Sequence, residues 1–262
     1  MDAFLNYLGR PKKLMTMEVN ALNPHVSVDC VIFGYDFEEL KVLLIERNYF
    51  DANDHQQNKK ITDLVLPGNL VRDNETLDES AKRILKELTS LENIFMEQFY
   101  TFGDPNRVRK KQDAEWLRSM RADPDARVIT VAYFALVKLN DYVPKPDSFA
   151  RRSEWYGVDN IPKLAFDHNE IVEKALETLR FKLKYFPIGF ELLPKKFTLS
   201  QVQKLYEAIH GTKLDKRNFR KKLKALDMVT PIGEKQKGVS HKPASVYTLN
   251  QKAYSESRLG IF

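Results

Sequence analysis

With 262 residues, 43% of them hydrophobic and 11% aromatic, the chain is long enough for two domains and too apolar to be disordered throughout. A single cysteine, Cys30, excludes an intramolecular disulfide or a cysteine-built metal site, and no run approaches the ~18 apolar residues of a membrane helix. The net charge of +6 is unevenly divided: residues 186–262 carry 15 Lys+Arg against 6 Asp+Glu, whereas the remainder carries 27 against 30. That asymmetry points to a polyanionic partner for the C-terminal third alone.

Residues 1–24 read as an N-terminal extension. It is interrupted by Arg10, Pro11, Lys12 and Lys13 and has no apolar stretch followed by a small-residue cleavage site, so no signal peptide is expected and a cytoplasmic setting is the simplest. Residues 26–33 and 41–45 read as paired strands across a turn, and a polar stretch, 48–60, leads to Leu64-Val65-Leu66-Pro67-Gly68. Within 78–91, Ala81, Ile84, Leu85 and Leu88 have the spacing of a helix with one buried face. Residues 95–102 and 128–137 read as strands. The charged segment between them, 108–122, reads as an inserted surface helix or lid, with Trp116, Leu117 and Met120 as its few large apolar groups. Residues 155–161 close a body of mixed strands and helices, and 170–185 form a helix leaving it. Beyond Pro187, Thr198 and Gln201 have the spacing of a capping box, Gly211 can end that helix, and Asp215 can cap a second one whose apolar face is Phe219, Leu223 and Leu226. Residues 229–249 read as two short strands around a Gly- and Lys-rich loop. Helix, turn, helix and hairpin is the order of a winged helix-turn-helix.

The segment PGNLVRDNETLDESAKRILKELTSL, residues 67–91, resembles the Nudix box, in which helix carboxylates hold divalent cations against a diphosphate. Glu75, Arg83, Leu85, Glu87 and Leu91 fall in register with it. The two box glycines are replaced by Asn69 and Ser90, and two helix carboxylates by Ile84 and Leu88. One carboxylate, Glu87, stands where three would cluster, and aliphatic replacements cannot coordinate a metal. The expectation is a kept fold with lost chemistry, neither an enzyme nor a metal or cofactor protein.

In the second C-terminal helix, Arg217, Arg220, Lys221 and Lys224 lie at offsets of three, four and seven, forming a cationic stripe away from Phe219, Leu223 and Leu226. Together with Lys216 they can reach phosphates, while Arg217 and Asn218, near the helix start, can read base edges. Lys235, Lys237 and Lys242 fall on the wing loop. No aromatic residues interleave the stripe, which speaks against single-stranded nucleic acid.

Taken together with the stretches VDCVIFGY, FGDPNR, RVITVAYFALV, LAFDH and PIGFELLPKKFTLSQVQKLYEAIHGTKLDKRNFRKKL, the chain resembles the bacterial Nudix-related transcription regulators. That family includes repressors of NAD-biosynthesis genes and an arabinose-responsive regulator of Bacteroidetes, and the C-terminal stretch is most similar to the latter. The resemblance implies a Nudix-type α/β/α sandwich with a mixed sheet over 25–165 (insertion 108–122), a connecting helix over 166–185, and a winged helix over 186–256. It further implies a homodimer on a palindromic double-stranded DNA operator, no membrane partner, and a small effector, a sugar or an ADP-ribose-like nucleotide, bound in an inactive Nudix-like domain. Arg47, Asp104, Asn106 and Arg107 are candidate ligand groups, although Asp104 to Arg107 equally suits a loop-stabilising turn. His168 reads first as a structural histidine at a helix start. Two other functions stay open. A hydrolase of ADP-ribose or a related nucleoside diphosphate-linked compound predicts metal-dependent turnover, and a module binding an acidic protein predicts no DNA sequence preference.

Overall fold

The computed structural model describes residues 21–50, 60–92, 94–110, 113–139, 152–185, 188–240 and 242–258. Most of the expected N-terminal extension, and part of the polar stretch after residue 48, lie outside the described residues.

The centre of the molecule is β1 (Leu22–Tyr35), which pairs in parallel with β6 (Ile129–Lys138) and antiparallel with β2 (Leu40–Phe50) and β4 (Gly68–Arg72). The sheet runs β3 (Lys60–Val65), β2, β1, β6, β5 (Met96–Phe102), with β7 (Arg152–Gly157) added to β2. The one parallel pairing makes it a mixed sheet, as expected. Alternation along β1 divides the core in two. Val28, Cys30 and Ile32 face α1 (Leu77–Thr89) and meet Ala81, Ile84, Leu85 and Leu88. Val31, Phe33 and Tyr35 face α3 (His168–Tyr185) and meet Ile171, Val172, Ala175 and Leu179. The fold is thus an α/β/α sandwich.

The α1 helix begins on a capping box: Thr76 Oγ1 accepts from the Glu79 amide and the Glu79 carboxylate accepts from the Thr76 amide. It ends at Ser90, whose φ of 60° lies in the left-handed region that a glycine adopts without cost. The box glycine has been lost there while its backbone conformation is retained. Glycine is still required at Gly68, where a Cβ would come within 1.9 Å of Asp29 Oδ1.

The second unit follows a 3₁₀ turn (Phe190–Leu192) and is a winged helix. It comprises β8 (Phe197–Thr198), α4 (Leu199–His210), α5 (Lys216–Ala225), and the wing strands β9 (Val229–Lys235) and β10 (Ser245–Leu249), the three strands pairing β8-β10-β9. The expected caps form: Thr198 and Gln201 make a reciprocal capping box, Gly211 ends α4 at φ 72°, and Asp215 accepts from the Asn218 amide at 2.8 Å. Two features differ from expectation. Leu226 is 53% exposed, because α5 ends at Ala225 and Leu226 falls beyond the turn that packs on α4. A further helix, α6 (Gln251–Arg258), follows the wing and returns Tyr254 to the core against Phe190. The α3-side core continues without a break into the winged helix through Phe190, Leu193, Val202, Leu205 and Ile209, and Arg180 Nε donates to the Ile209 carbonyl at 2.8 Å.

Candidate functional site

The box helix presents few free carboxylates. Ile84 and Leu88 point into the sheet and are buried in the core, where burying such side chains contributes ~1.5–3 kcal/mol each. Glu75 and Glu87 are held by cations, and Asp78 accepts from the Tyr133 hydroxyl at 2.7 Å. Arg83 makes a two-pronged pair with Glu75, at 2.8 Å and 2.5 Å, and reaches Glu87 at 3.1 Å, while Arg72 holds the other Glu87 oxygen at 3.1 Å. The Arg83 guanidinium and the Arg72 amide keep the Glu75 carboxyl below the usual range, although its partial burial pushes the other way. Glu79 is committed to the cap and has its acidity raised by it.

A cavity of about 210 Å³ lies on the other side of β4, between β1 and the segment that precedes β6. Two of the expected ligand groups, Arg47 and Arg107, line it together with the box position Asn69. Arg47 is 2% exposed and its guanidinium sits 4.3 Å from the Trp116 ring and 4.4 Å from Phe166, with Asp63 and Asp113 each at 3.3 Å. Arg107 forms a fork-to-fork pair with Asp167, both bonds 2.8 Å, and approaches Asp29 at 3.5 Å. Asp104 and Asn106 are exposed and absent from the cavity wall. The Asp104 carboxylate accepts from the Asn106 amide at 2.6 Å and its carbonyl from the Arg107 amide at 3.2 Å, so this is the loop-stabilising turn that presents Arg107.

His168 opens α3 and is buried. Its Nδ1 accepts from the Leu66 amide at 2.9 Å, which places the proton on Nε2, 3.8 Å from Asp29 Oδ1. Burial, then the nearby arginines, pull its pKa down to about 3 against the opposing pull of Asp167, so the ring is neutral. Desolvation raises the Asp29 carboxyl, with Arg107 pulling the other way.

The insertion reads from sequence as an inserted surface helix or lid; the helix forms, but the segment is not confined to the surface. Its helix, α2 (Ala114–Met120), is short, and the segment turns inward: Val108, Asp113 and Leu117 are buried, Asp113 pairs with Arg47 and accepts from the Phe166 amide, and Trp116 and Arg121 line the cavity. Sequence reasoning missed Asp29, Asp113, Arg121, Phe166 and Asp167. Asp29 carried a signal as a lone acid inside the apolar run of β1, and Phe166 and Asp167 fall in the stretch LAFDH.

On the winged helix, Lys216, Arg217, Asn218, Lys221 and Lys224 are exposed along α5. Arg220 is not part of that open stripe. It is half-buried, donates to Ser200 Oγ at 3.1 Å, and has its Nε enclosed without a hydrogen-bond partner, because its position faces the start of α4. Lys235, Lys237 and Lys242 are exposed on the wing, Lys235 reaching Ser245 Oγ at 2.9 Å.

Comparison with known proteins agrees with this geometry. The model of the NUDIX domain matches residues 23–176. The chain belongs to the NUDIX family. Beyond the NUDIX domain, the model of the NrtR DNA-binding winged helix domain matches residues 189–249. Among relatives, the ADPR responsive transcriptional repressor NtrR of Acinetobacter baylyi is 28% identical over 236 residues, 88% of this chain and 84% of the relative. Among solved structures, NrtR of Shewanella oneidensis is 27% identical with a TM-score of 0.66, covering 88% of this chain and 96% of that one. The same protein complexed with a 27mer DNA is 25% identical with a TM-score of 0.64, covering 88% and 95%. The expected kinship with an arabinose-responsive branch finds no support in these relatives, which are an ADPR-responsive repressor and NrtR.

The divalent cation that a working NUDIX box carries does not fit the residues present here. Ile84 and Leu88 supply no oxygen, Glu75 and Glu87 are bound by Arg83 and Arg72, and among the described residues no three His, Cys, Asp or Glu side chains converge as ligands. Among the described residues, likewise, no helix is long and apolar enough to cross a membrane.

Proposed function

We propose that this protein is a DNA-binding transcription repressor whose NUDIX domain senses an ADP-ribose-type nucleotide and does not hydrolyse it. The observation that carries the reading is the cationic stripe on α5: Lys216, Arg217, Lys221 and Lys224 face solvent on the second helix of a winged helix, with wing lysines beside them. In that placement the lysines contact phosphates and the start of α5, with Arg217 and Asn218, reads base edges in the major groove. Residues 25–165 then act as the sensing domain, 166–185 as the connecting helix and 186–256 as the DNA-binding domain. A homodimer would match a palindromic operator with half-sites about one helical turn apart. The effector class is supported by the name of the Acinetobacter baylyi relative, an ADPR responsive repressor. The arginine-bound carboxylates of the box support a sensor rather than a hydrolase.

A free sugar is the second reading for the effector, and one observation favours it. The cavity of about 210 Å³ is smaller than the roughly 300–1,000 Å³ of sites that enclose drug-sized ligands, so it encloses one sugar ring more readily than a whole dinucleotide-like molecule. Gel shifts on the upstream region of its own gene, at stated salt, with ADP-ribose and with free sugars, separate the readings. A specific shift relieved by ADP-ribose and no turnover with Mg²⁺ or Mn²⁺ is expected. Metal-dependent turnover, or a shift with no sequence preference, would contradict the proposal.

A further inference from the structure

One cation in the cavity wall has a donor without a hydrogen-bond partner. Arg121, at the C-terminal end of α2, lines the cavity, and its Nη1 is enclosed with no acceptor in reach among the described residues. Leaving a buried donor unsatisfied is costly, and more so for a charged group. Arg121 feels the charge of Asp29, but the two form no ion pair. Asp29 has spare capacity of its own. Beyond its hydrogen bond with Thr130, its contacts to Arg107 at 3.5 Å and to His168 Nε2 at 3.8 Å are long and leave carboxylate lone pairs open towards the cavity.

The ionic balance says what kind of group is missing. Arg47, Arg107 and Arg121 are matched by the buried Asp29, Asp113 and Asp167, with half-exposed Asp63 in addition. The enclosed space therefore has no surplus positive charge to offset a phosphate. What it lacks is an acceptor for Arg121 and a further donor for Asp29 beside Thr130. A pair of neighbouring hydroxyls supplies both, and Trp116, Leu66 and Val108 in the same wall offer apolar surface to the C–H face of a ring.

We infer that Arg121 and Asp29 clamp a vicinal diol of the effector, Arg121 donating to one hydroxyl oxygen and Asp29 accepting from the other hydroxyl. The insertion between β5 and β6 is then the element that sets effector specificity. The inference rests on the sensing role proposed above. The diol belongs either to the ribose end of ADP-ribose or to a free pentose, and the enclosed chemistry is the same for both.

Calorimetric titration of the full chain tests this with ADP-ribose, ADP-ribose whose diols have been cleaved by periodate, ribose, arabinose, methyl ribofuranoside, and methyl 2-deoxyribofuranoside, whose locked ring has no adjacent hydroxyls. ADP-ribose or a free pentose is expected to bind, with the diol-less counterpart weaker by about tenfold or more, the scale of one charge-assisted hydrogen bond. Arg121→Met is expected to lose a similar factor and Arg121→Lys to recover part of it. Unliganded Arg121→Met is expected to melt within about 2–4 °C of the parent, since removing an unsatisfied buried donor offsets the loss of a charge that balances Asp29. Equal affinity in Arg121→Met, equal binding of diol-less compounds, or binding of none of the diols would overturn the clamp. Failure of the regulator reading is visible separately, as loss of the specific operator shift by the unliganded parent protein.

Discussion

Asp113 offers a test of the finding that the insertion is part of the core. The carboxylate is fully buried, lies 3.3 Å from the 2%-exposed guanidinium of Arg47, and accepts from the Phe166 amide at 3.2–3.3 Å. Removing one partner of a buried ion pair costs ~3–5 kcal/mol because the other charge is stranded. Here Arg47 keeps Asp63 and two aromatic faces, which moves the figure to the low end of that range. Asp113→Ala should therefore lose about 3 kcal/mol, or about 6–12 °C in Tm at 2–4 °C per kcal/mol. Asp113→Asn keeps an acceptor for the Phe166 amide and should lose about half as much. Urea titrations followed by circular dichroism give both values at unchanged m. A loss of less than about 0.5 kcal/mol in the alanine variant, the scale of an ordinary surface substitution, would return the insertion to the status of a surface lid.

Three further outcomes follow from the cavity and from α5. His168 is neutral when buried, with a pKa of about 3, whereas in the unfolded chain it takes up a proton below its ordinary value of 6.5. Between those values the unfolded state binds the extra proton, so stability falls as pH is lowered from about 6.5 towards 3, at up to about 1.4 kcal/mol per pH unit from this group. His168→Gln should flatten the pH dependence of stability over that window by close to one proton, and an unchanged slope would contradict the burial argument. On α5, Lys221→Ala with Lys224→Ala should weaken operator and non-specific DNA alike. The salt slope of log affinity should fall by about 0.9 for each phosphate that is no longer neutralised, measured by fluorescence anisotropy across salt. Arg220→Ala should instead lower the melting temperature of the protein, since its guanidinium is bonded to Ser200 rather than presented to solvent. A salt slope unchanged in the double variant would place the DNA elsewhere.

Local periodicity made much of the architecture legible. The apolar run of β1 next to the 3.6-residue spacing of Ala81, Ile84, Leu85 and Leu88 specifies a strand covered by a helix, and the Thr198–Gln201 and Asp215 caps specify where α4 and α5 begin. These signals lie within a few residues of one another. The cavity was less legible because it is assembled from pairs far apart in sequence. Arg47 meets Asp113 across 66 residues and Arg107 meets Asp167 across 60, and no local pattern encodes either pairing. Composition was misleading at the insertion, where a charged segment reads as solvated although Asp113 pairs inward with Arg47 and Arg121 lines the cavity. The same applies to Arg220, which has the right offset for the cationic stripe but lies where α5 turns towards α4. Asp104 and Asn106 shared a motif with Arg107 and differ from it only in which side chain the turn directs inward.

The central proposal is that one chain couples a NUDIX domain that senses an ADP-ribose-type effector to a DNA-binding winged helix. Its most direct test is a gel shift of the purified full chain on its own upstream region at fixed salt, with and without ADP-ribose and free pentoses. A sequence-specific complex that one of these compounds releases is the predicted result. A protein that shows no preference for that DNA over a random sequence, at physiological salt and with every compound, would contradict the account.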